Sequence, residues 1–159
     1  MKPKVYVETT ILSYLTALPS RDLVLAAHQQ LTLEWWQSRE RFSLFVSEAV
    51  LAEAKRGDPA AAARRLQAAG AMAVLSVTGE AQTLASELLK AAALPQKAAI
   101  DAVHVAMAAA NGMDFLVTWN CAHIANAIMR PRIEAVCDRI GWRTPVICTP
   151  EELVEQEQP

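Results

Sequence analysis

The chain has 159 residues, of which 53% are hydrophobic and 20% are charged. This composition excludes an intrinsically disordered protein, because disordered chains are poor in apolar residues and rich in unbalanced charge. The net charge of −2, from 15 Lys and Arg against 17 Asp and Glu, excludes a protein that binds nucleic acid through a general basic surface.

Short β-forming runs alternate with longer helical stretches along the whole chain. Compact apolar segments such as KVYV and FSLFV indicate strands, and apolar residues that recur every three or four positions indicate helices. The elements predicted in the first half are a strand at 4–7, a helix from Thr9 or Thr10 to Leu15, a helix from about Asp22, a strand at 42–46, a helix capped by Ser47 and a helix at 60–69.

The helix that begins near Asp22 carries a wide apolar stripe. The stripe is made of Val24, Ala27, Leu31 and Trp35, widened by Leu25, Leu33 and Trp36. We expect one of the two adjacent tryptophans to lie in the core. The other is a candidate contact for a partner protein, because aromatic side chains anchor interfaces.

The second half continues the same alternation, with Pro95 and the pair Asn111–Gly112 as breaks between elements. Its final segment is expected to be a short acidic helix or a frayed tail. The elements predicted before it are a strand at 72–77, helices at 79–92 and 97–110, a strand at 115–118, helices at 121–129 and 132–140, and a strand at 145–148.

Strands separated by helices indicate parallel pairing, because a parallel pair needs a crossover connection and a helix supplies it. The sequence therefore predicts a three-layer α/β/α domain with a central, mainly parallel sheet of about five strands. We assign this domain to residues 1–150. Residues 151–159 form an acidic tail, which contains glutamates and no basic residue.

The cysteines and the apolar runs indicate the compartment. Three cysteines without a C-x-x-C pair fit a reduced cytosol better than a disulfide framework. No apolar run approaches the roughly 18 residues that a membrane span needs. We therefore expect a soluble cytoplasmic protein with no membrane partner.

Four polar residues that are distant in sequence are predicted to meet at the carboxyl edge of the sheet, where parallel α/β folds place their sites. Glu8 directly follows the first strand, and Asn120 lies two residues after the fourth. Asp101 lies near the start of the helix that leads back to the fourth strand. Glu53 lies in the helix after the second strand and reaches the edge if that helix leans toward the first.

Three carboxylates in one place repel one another, and a cation allows all of them to stay ionised. Oxygen ligands without cysteine or clustered histidine suit Mg²⁺ or Mn²⁺ better than zinc. Such an ion neutralises a phosphate group and activates an attacking water molecule. The chemistry that fits best is therefore phosphodiester hydrolysis.

Four segments resemble, in order, the motifs of PIN domains: VYVETTILSYL, SEAVLAE, DAVHVAMA and FLVTWN. The chain is most similar to the VapC-like nucleases of prokaryotic type II toxin–antitoxin modules, over nearly its whole length. The resemblance implies a Mg²⁺- or Mn²⁺-dependent ribonuclease, usually a homodimer, that a cognate antitoxin inhibits. It also implies products with 5′-phosphate and 3′-hydroxyl ends.

The resemblance assigns the same four residues to the catalytic metal site. Glu8 stands where an aspartate is usual, Glu53 and Asp101 match the conventional acidic residues, and Asn120 occupies a position that is often aspartate. Five other residues are candidates for contact with RNA: Thr9, Lys55, Arg56, His104 and His123. Each also has a structural interpretation, as a helix cap, an exposed helix end or a packed histidine.

Two departures from the usual pattern leave a second interpretation open. Glu8 is one methylene longer than aspartate, and Asn120 removes one formal charge from the site. The alternative is a catalytically degenerate PIN module that binds RNA or a protein partner. Metal binding distinguishes the two, because the enzyme requires it.

Overall fold

In the computed structural model, which describes residues 1–155, one parallel sheet has the strand order β3-β2-β1-β4-β5. Its strands are β1 (Lys4–Val7), β2 (Ser43–Ser47), β3 (Ala73–Leu75), β4 (Phe115–Val117) and β5 (Val146–Cys148). From β1 the sheet grows through β2 to β3, and the chain then returns to the other side of β1. The order of strands therefore reverses between β1 and β4, which is where open α/β sheets bind ligands.

Eight α-helices surround this sheet within residues 1–155. They are α1 (Thr9–Thr16), α2 (Leu23–Gln37), α3 (Glu48–Ala54), α4 (Pro59–Ala69), α5 (Gly79–Lys90), α6 (Ala99–Ala110), α7 (Met129–Ile140) and α8 (Pro150–Leu153). In one group α1 contacts α2, α3 and α4, and in the other α5 contacts α6 and α7. The predicted three-layer α/β/α architecture is confirmed.

Side-chain caps determine where several helices begin. A capping side chain accepts a hydrogen bond from a backbone N–H group of the first turn, which has no partner within the helix. The caps of α2, α3, α4 and α5 are Asp22, Ser47, Asp58 and Thr78. The predicted start near Asp22 and the predicted cap at Ser47 are both confirmed.

The segment after β4 differs from the prediction. A helix is expected at 121–129, but residues 121–128 form turns and bends, and α7 begins at Met129. The Oδ1 atoms of Asn120 and Asn126 each accept a hydrogen bond from a backbone N–H group two or three residues later, at 3.1 and 2.9 Å. Such local bonds compete with helical pairing of the backbone, so the helix prediction is wrong here.

The apolar stripe of α2 is less buried than predicted. The buried side chains of this helix are Thr32 and Trp35, whereas Val24 is 63% exposed. Trp36 is half-buried, and the guanidinium of Arg39 lies 4.6 Å from its ring centre. The periodic pattern identified an apolar face correctly but did not indicate how little of it the other helices cover.

The chain beyond residue 150 packs against the domain as far as the structure describes it. Arg41 donates a hydrogen bond to the carbonyl oxygen of Leu153 at 2.9 Å and forms an ion pair with Glu155. Leu153 and Val154 pack against the core. Of the predicted acidic tail, residues 156–159 lie outside the described residues.

The structure also shows the state of the three cysteines and the character of the helices. All three cysteines are free thiols, with Cys121 exposed and Cys137 and Cys148 buried. Burial raises the pKa of the Cys148 thiol to about 12, so this thiol stays protonated and unreactive. Within residues 1–155, no helix combines the length and the hydropathy that crossing a membrane would need.

Thr32 joins α2 to the segment that follows β4. Its hydroxyl accepts a hydrogen bond from Trp119 Nε1 at 2.7 Å and donates one to the carbonyl of His28 at 2.6 Å. The rings of His28 and Trp119 stack, with their centres 3.9 Å apart. One hydroxyl thus satisfies the polar group of a buried tryptophan.

We expect Thr32→Val to lower the free energy of unfolding by about 1–3 kcal/mol, because it leaves the buried Trp119 N–H group without a partner. Thr83→Val is the matched control, since the Thr83 hydroxyl also donates to the carbonyl four residues earlier but lies on an exposed surface. The control should change stability by no more than about 0.5 kcal/mol. Urea unfolding measures both variants, and equal effects would contradict the assigned role of the Thr32–Trp119 bond.

Candidate metal centre

Glu8 lies at the point where the strand order reverses. It is the first residue after β1, it caps α1, and its side chain is only 3% exposed. Its Oε2 atom accepts hydrogen bonds from the backbone N–H and hydroxyl of Thr10 and, at 2.8 Å, from the hydroxyl of Thr118 directly after β4. One carboxylate oxygen therefore ties β1, α1 and β4 together.

Glu53 approaches the same point from α3, which contacts both α1 and α6. Its Oε1 atom accepts a hydrogen bond from the Thr9 hydroxyl at 2.7 Å and another from His104 Nε2. The side chain is part-buried. The predicted approach of Glu53 to the carboxyl edge is therefore present in the structure.

Glu8, Glu53 and His104 form a group that could hold a divalent cation. One potential ligand atom from each residue lies within 4.8 Å of those of the other two. His104 comes from α6 and is fully buried. Its ring nitrogens both have protein partners, since Nδ1 lies 2.8 Å from the Tyr6 hydroxyl and Nε2 contacts Glu53.

The pKa values of the two carboxyl groups shift in opposite directions. Burial raises the pKa of Glu8, and the nearby His104 ring and the hydrogen bonds from Thr10 and Thr118 only partly oppose this effect. Burial also acts to raise the pKa of Glu53, but the hydrogen bond and charge of His104 outweigh it and the net shift is downward. Glu8 is thus a buried acid whose ionised form needs a positive charge nearby.

A second polar group lies beside this centre. Asp101 Oδ2 is 2.9 Å from His123 Nδ1, and both side chains are part-buried. Asn120 fixes the same segment, because its Oδ1 accepts from the His123 N–H and its own N–H donates to Thr118 Oγ1 at 2.9 Å. That hydroxyl also donates to Glu8, so the two groups are connected through Thr118.

The structure brings the predicted site residues together in two sets. Glu8 and Glu53 share one set, while Asp101 and Asn120 belong to the neighbouring set with His123. Asp101 lies three residues before His104, about 4.5 Å along the axis of α6 at 1.5 Å per residue.

The predicted substrate contacts have different environments. Thr9 donates to Glu53, and Lys55 and Arg56 are exposed at the end of α3. His123 is part-buried. His104 is fully buried, and both of its ring nitrogens have hydrogen-bond partners inside the protein. In this arrangement His104 does not contact a substrate directly, contrary to the prediction.

Sequence reasoning missed four hydroxyl groups of the centre: Tyr6, Thr10, Ser47 and Thr118. The pattern E-T-T after β1 and the threonine directly after β4 were the available signals for two of them. Nothing local distinguished Tyr6 from an ordinary aromatic side chain in a buried strand. Its role depends on a contact with α6, which is distant in sequence.

The donor atoms of this centre fit Mg²⁺ or Mn²⁺. Each carboxylate uses one oxygen for hydrogen bonds inside the protein, Oε2 of Glu8 and Oε1 of Glu53. Among the residues that the structure describes, the other oxygen of each carboxylate makes no hydrogen bond. Magnesium is commonly bound by one or two carboxylates together with substrate phosphates, which is the arrangement that these two oxygens permit.

No protein-family model matches the chain, and no curated protein matches it by sequence. Among solved structures, it is similar to a chain of the crystal structure of VapBC2 from Rickettsia felis bound to a DNA fragment from their promoter. The identity is 15% and the TM-score 0.57, over 92% of this chain and 98% of that chain. At this identity the likeness establishes the fold, and the chain therefore has the PIN-like fold that its sequence motifs predicted.

Proposed function

We propose that the protein is a metal-dependent ribonuclease and the toxin of a toxin–antitoxin module. The observation that supports this most strongly is the pair Glu8 and Glu53, which are held at the reversal point of the sheet with one oxygen of each making no hydrogen bond to residues 1–155. The likeness to a chain of the VapBC2 structure supports the toxin assignment. The expected substrate is RNA, and the expected ion is Mg²⁺ or Mn²⁺.

Each residue of the centre has a defined task in this proposal. When bound, the ion would neutralise the phosphate and lower the pKa of a water molecule. Glu8 and Glu53 would bind it, and the hydrogen bonds from Thr118 and Thr9 would keep their carboxylates in place. Asp101 is the proposed third carboxylate.

Residues around the carboxylates are proposed to receive the RNA. Lys55 and Arg56 follow Glu53 closely in sequence and are exposed, so they can attract backbone phosphates, which position a nucleic acid without reading its sequence. Asn120 and His123 occupy the segment next to Asp101 and can contact the substrate beside the ion. With a net charge of −2, the protein depends on such local contacts.

An antitoxin is the proposed protein partner. The segment around the start of α2 supports this, because Leu18, Leu23 and Val24 are 78%, 86% and 63% exposed and an exposed apolar surface can bind a partner protein. Trp35, one of the two candidate aromatic contacts, is fully buried, which leaves the half-buried Trp36. A homodimer and a cytoplasmic location complete the proposal, and the resemblance to VapC-like nucleases supports both.

Asp101→Asn should abolish RNA cleavage while the protein stays folded. The change keeps the shape of the side chain but removes a negative charge that the ion needs, and we expect a rate loss of at least about 100-fold, or about 2.7 kcal/mol. Asp58→Asn is the matched control, because asparagine caps a helix as well as aspartate does and Asp58 is an exposed cap of α4.

The measurement uses a panel of single-stranded and structured RNAs with Mg²⁺ or Mn²⁺, together with thermal melting of both variants. If the Asp101→Asn protein is folded and cuts RNA at the wild-type rate, Asp101 is not part of the metal site. A wild-type protein that binds Mn²⁺ but cuts no RNA in the panel would favour the degenerate, binding-only module.

Glu8→Gln should stabilise the metal-free protein near neutral pH, by a few degrees in melting temperature. The pKa of Glu8 is higher in the folded than in the unfolded protein, so the folded state binds its proton more tightly. The free energy of unfolding therefore falls as the pH rises above the ordinary value of 4.5. The advantage of the variant should disappear as the pH is lowered to that value.

Mn²⁺ should reverse this difference, so that the wild-type protein melts at a higher temperature than Glu8→Gln. An ion that binds only the folded state stabilises it by about 2.7 kcal/mol at a concentration 100 times its Kd, and this gain requires the ionised Glu8. Thermal melting with and without Mn²⁺ measures both effects. Equal stabilisation of wild type and Glu8→Gln by Mn²⁺ would exclude Glu8 as a ligand.

A further inference from the structure

A chain of hydrogen bonds runs through the core and ends on Glu53. Ser47 Oγ lies 2.7 Å from the Tyr6 hydroxyl, the Tyr6 hydroxyl lies 2.8 Å from His104 Nδ1, and His104 Nε2 contacts Glu53 Oε1. Ser47, Tyr6 and His104 are fully buried. The chain connects β2, β1, α6 and α3, which are the elements that surround the carboxylates.

The ionised carboxylate of Glu53 determines which nitrogen of His104 donates in this hydrogen-bond network. An ionised carboxylate only accepts hydrogen bonds, so His104 Nε2 must donate to Glu53. If Nε2 carries the only ring proton, Nδ1 accepts from the Tyr6 hydroxyl and Tyr6 accepts from Ser47, whereas a ring protonated on both nitrogens donates from Nδ1 to Tyr6. Ser47 Oγ itself accepts from the backbone N–H of Val50 at 3.3 Å, so the network begins at the first turn of the same helix that carries Glu53.

Packing alone does not require these polar groups. Burying a hydroxyl or an imidazole is costly unless each polar atom has a partner, and phenylalanine in place of Tyr6 would fill nearly the same volume. All partners are present here, and the last of them is a carboxylate at the candidate metal centre. A fully satisfied polar network of this kind fixes a single arrangement of its members.

We propose that Tyr6 and His104 are positioning residues, which hold Glu53 through Oε1 so that its Oε2 atom binds the cation. His104 itself does not bind the cation, because its Nε2 hydrogen is committed to Glu53. Glu8 is held in the same manner by Thr10 and Thr118, so each carboxylate contributes one oxygen. This inference rests on the proposed metal-dependent function and assigns the residues that prepare its ligands.

The first test is the affinity for Mn²⁺, measured by electron paramagnetic resonance of the free ion. Hydrogen-bond partners of metal ligands typically contribute about 10–100-fold to metal affinity, and because Tyr6 acts on Glu53 through His104 we expect a loss near the lower end, about 10-fold, for Tyr6→Phe. Tyr14→Phe is the matched control, since Tyr6 and Tyr14 are the two tyrosines of the chain, and it should change the affinity less than about twofold. Equal affinities of the two variants would overturn the inference.

A second test compares two replacements of His104. The amide nitrogen of glutamine can replace Nε2 and donate to Glu53, whereas the shorter asparagine can replace only Nδ1 next to Tyr6. His104→Gln should therefore retain more Mn²⁺ affinity than His104→Asn, although both should lower the melting temperature of the metal-free protein. A merely structural histidine would give the same affinity for the two folded variants, and that result would contradict the proposal.

The bound ion provides a spectroscopic check on the wild-type protein. We expect no ¹⁴N coupling to bound Mn²⁺ of the strength that a directly coordinated imidazole gives, and such a coupling, if lost in His104→Gln, would make His104 a ligand instead. Wild-type protein that binds no Mn²⁺ would overturn both this inference and the proposed function. Mn²⁺ binding that depends on Tyr6, without RNA cleavage, would support this inference and refute the ribonuclease assignment.

Discussion

The carboxyl edge of this fold depends on the hydrogen bonds of the buried carboxyl group of Glu8. The side chain leaves the central strand, caps the next helix and accepts a hydrogen bond from Thr118 after the neighbouring strand. Burial makes the ionised form unfavourable, and a second carboxylate, Glu53, lies close to it. The same contacts that hold the sheet edge together therefore also bring together carboxylates that could hold a cation.

The two carboxylates show how equal functional groups acquire different properties from their surroundings. Glu8 is almost fully enclosed and has hydroxyl and amide donors, whereas Glu53 is part-buried and has His104 as a partner. Their pKa values are consequently moved apart, and such separation is characteristic of sites that carry out chemistry. Thr9 and Thr118 add directional bonds, so the two side chains are fixed before any ligand arrives.

Much of the fold could be predicted because its signals are local. The cap at Ser47 and the short apolar strands can be recognised from a few consecutive residues. The parallel topology follows because the strands alternate with helices. The turns around Asn126 and the exposure of Val24 could not be predicted in that way. The same distinction applies to the candidate site. The placement of Glu8 and Glu53 could be predicted because each lies shortly after a strand, but the contact between Tyr6 and His104 could not, because these residues are 98 positions apart.

The two strands at the margins of the sheet, β3 and β5, have three residues each. A sheet edge offers unpaired backbone groups to other chains, and short edge strands limit that exposure. Strand-to-strand addition between molecules is thus poorly supported at both margins. For assembly with another chain, these short edges therefore favour surfaces recognised through side chains over main-chain ladders.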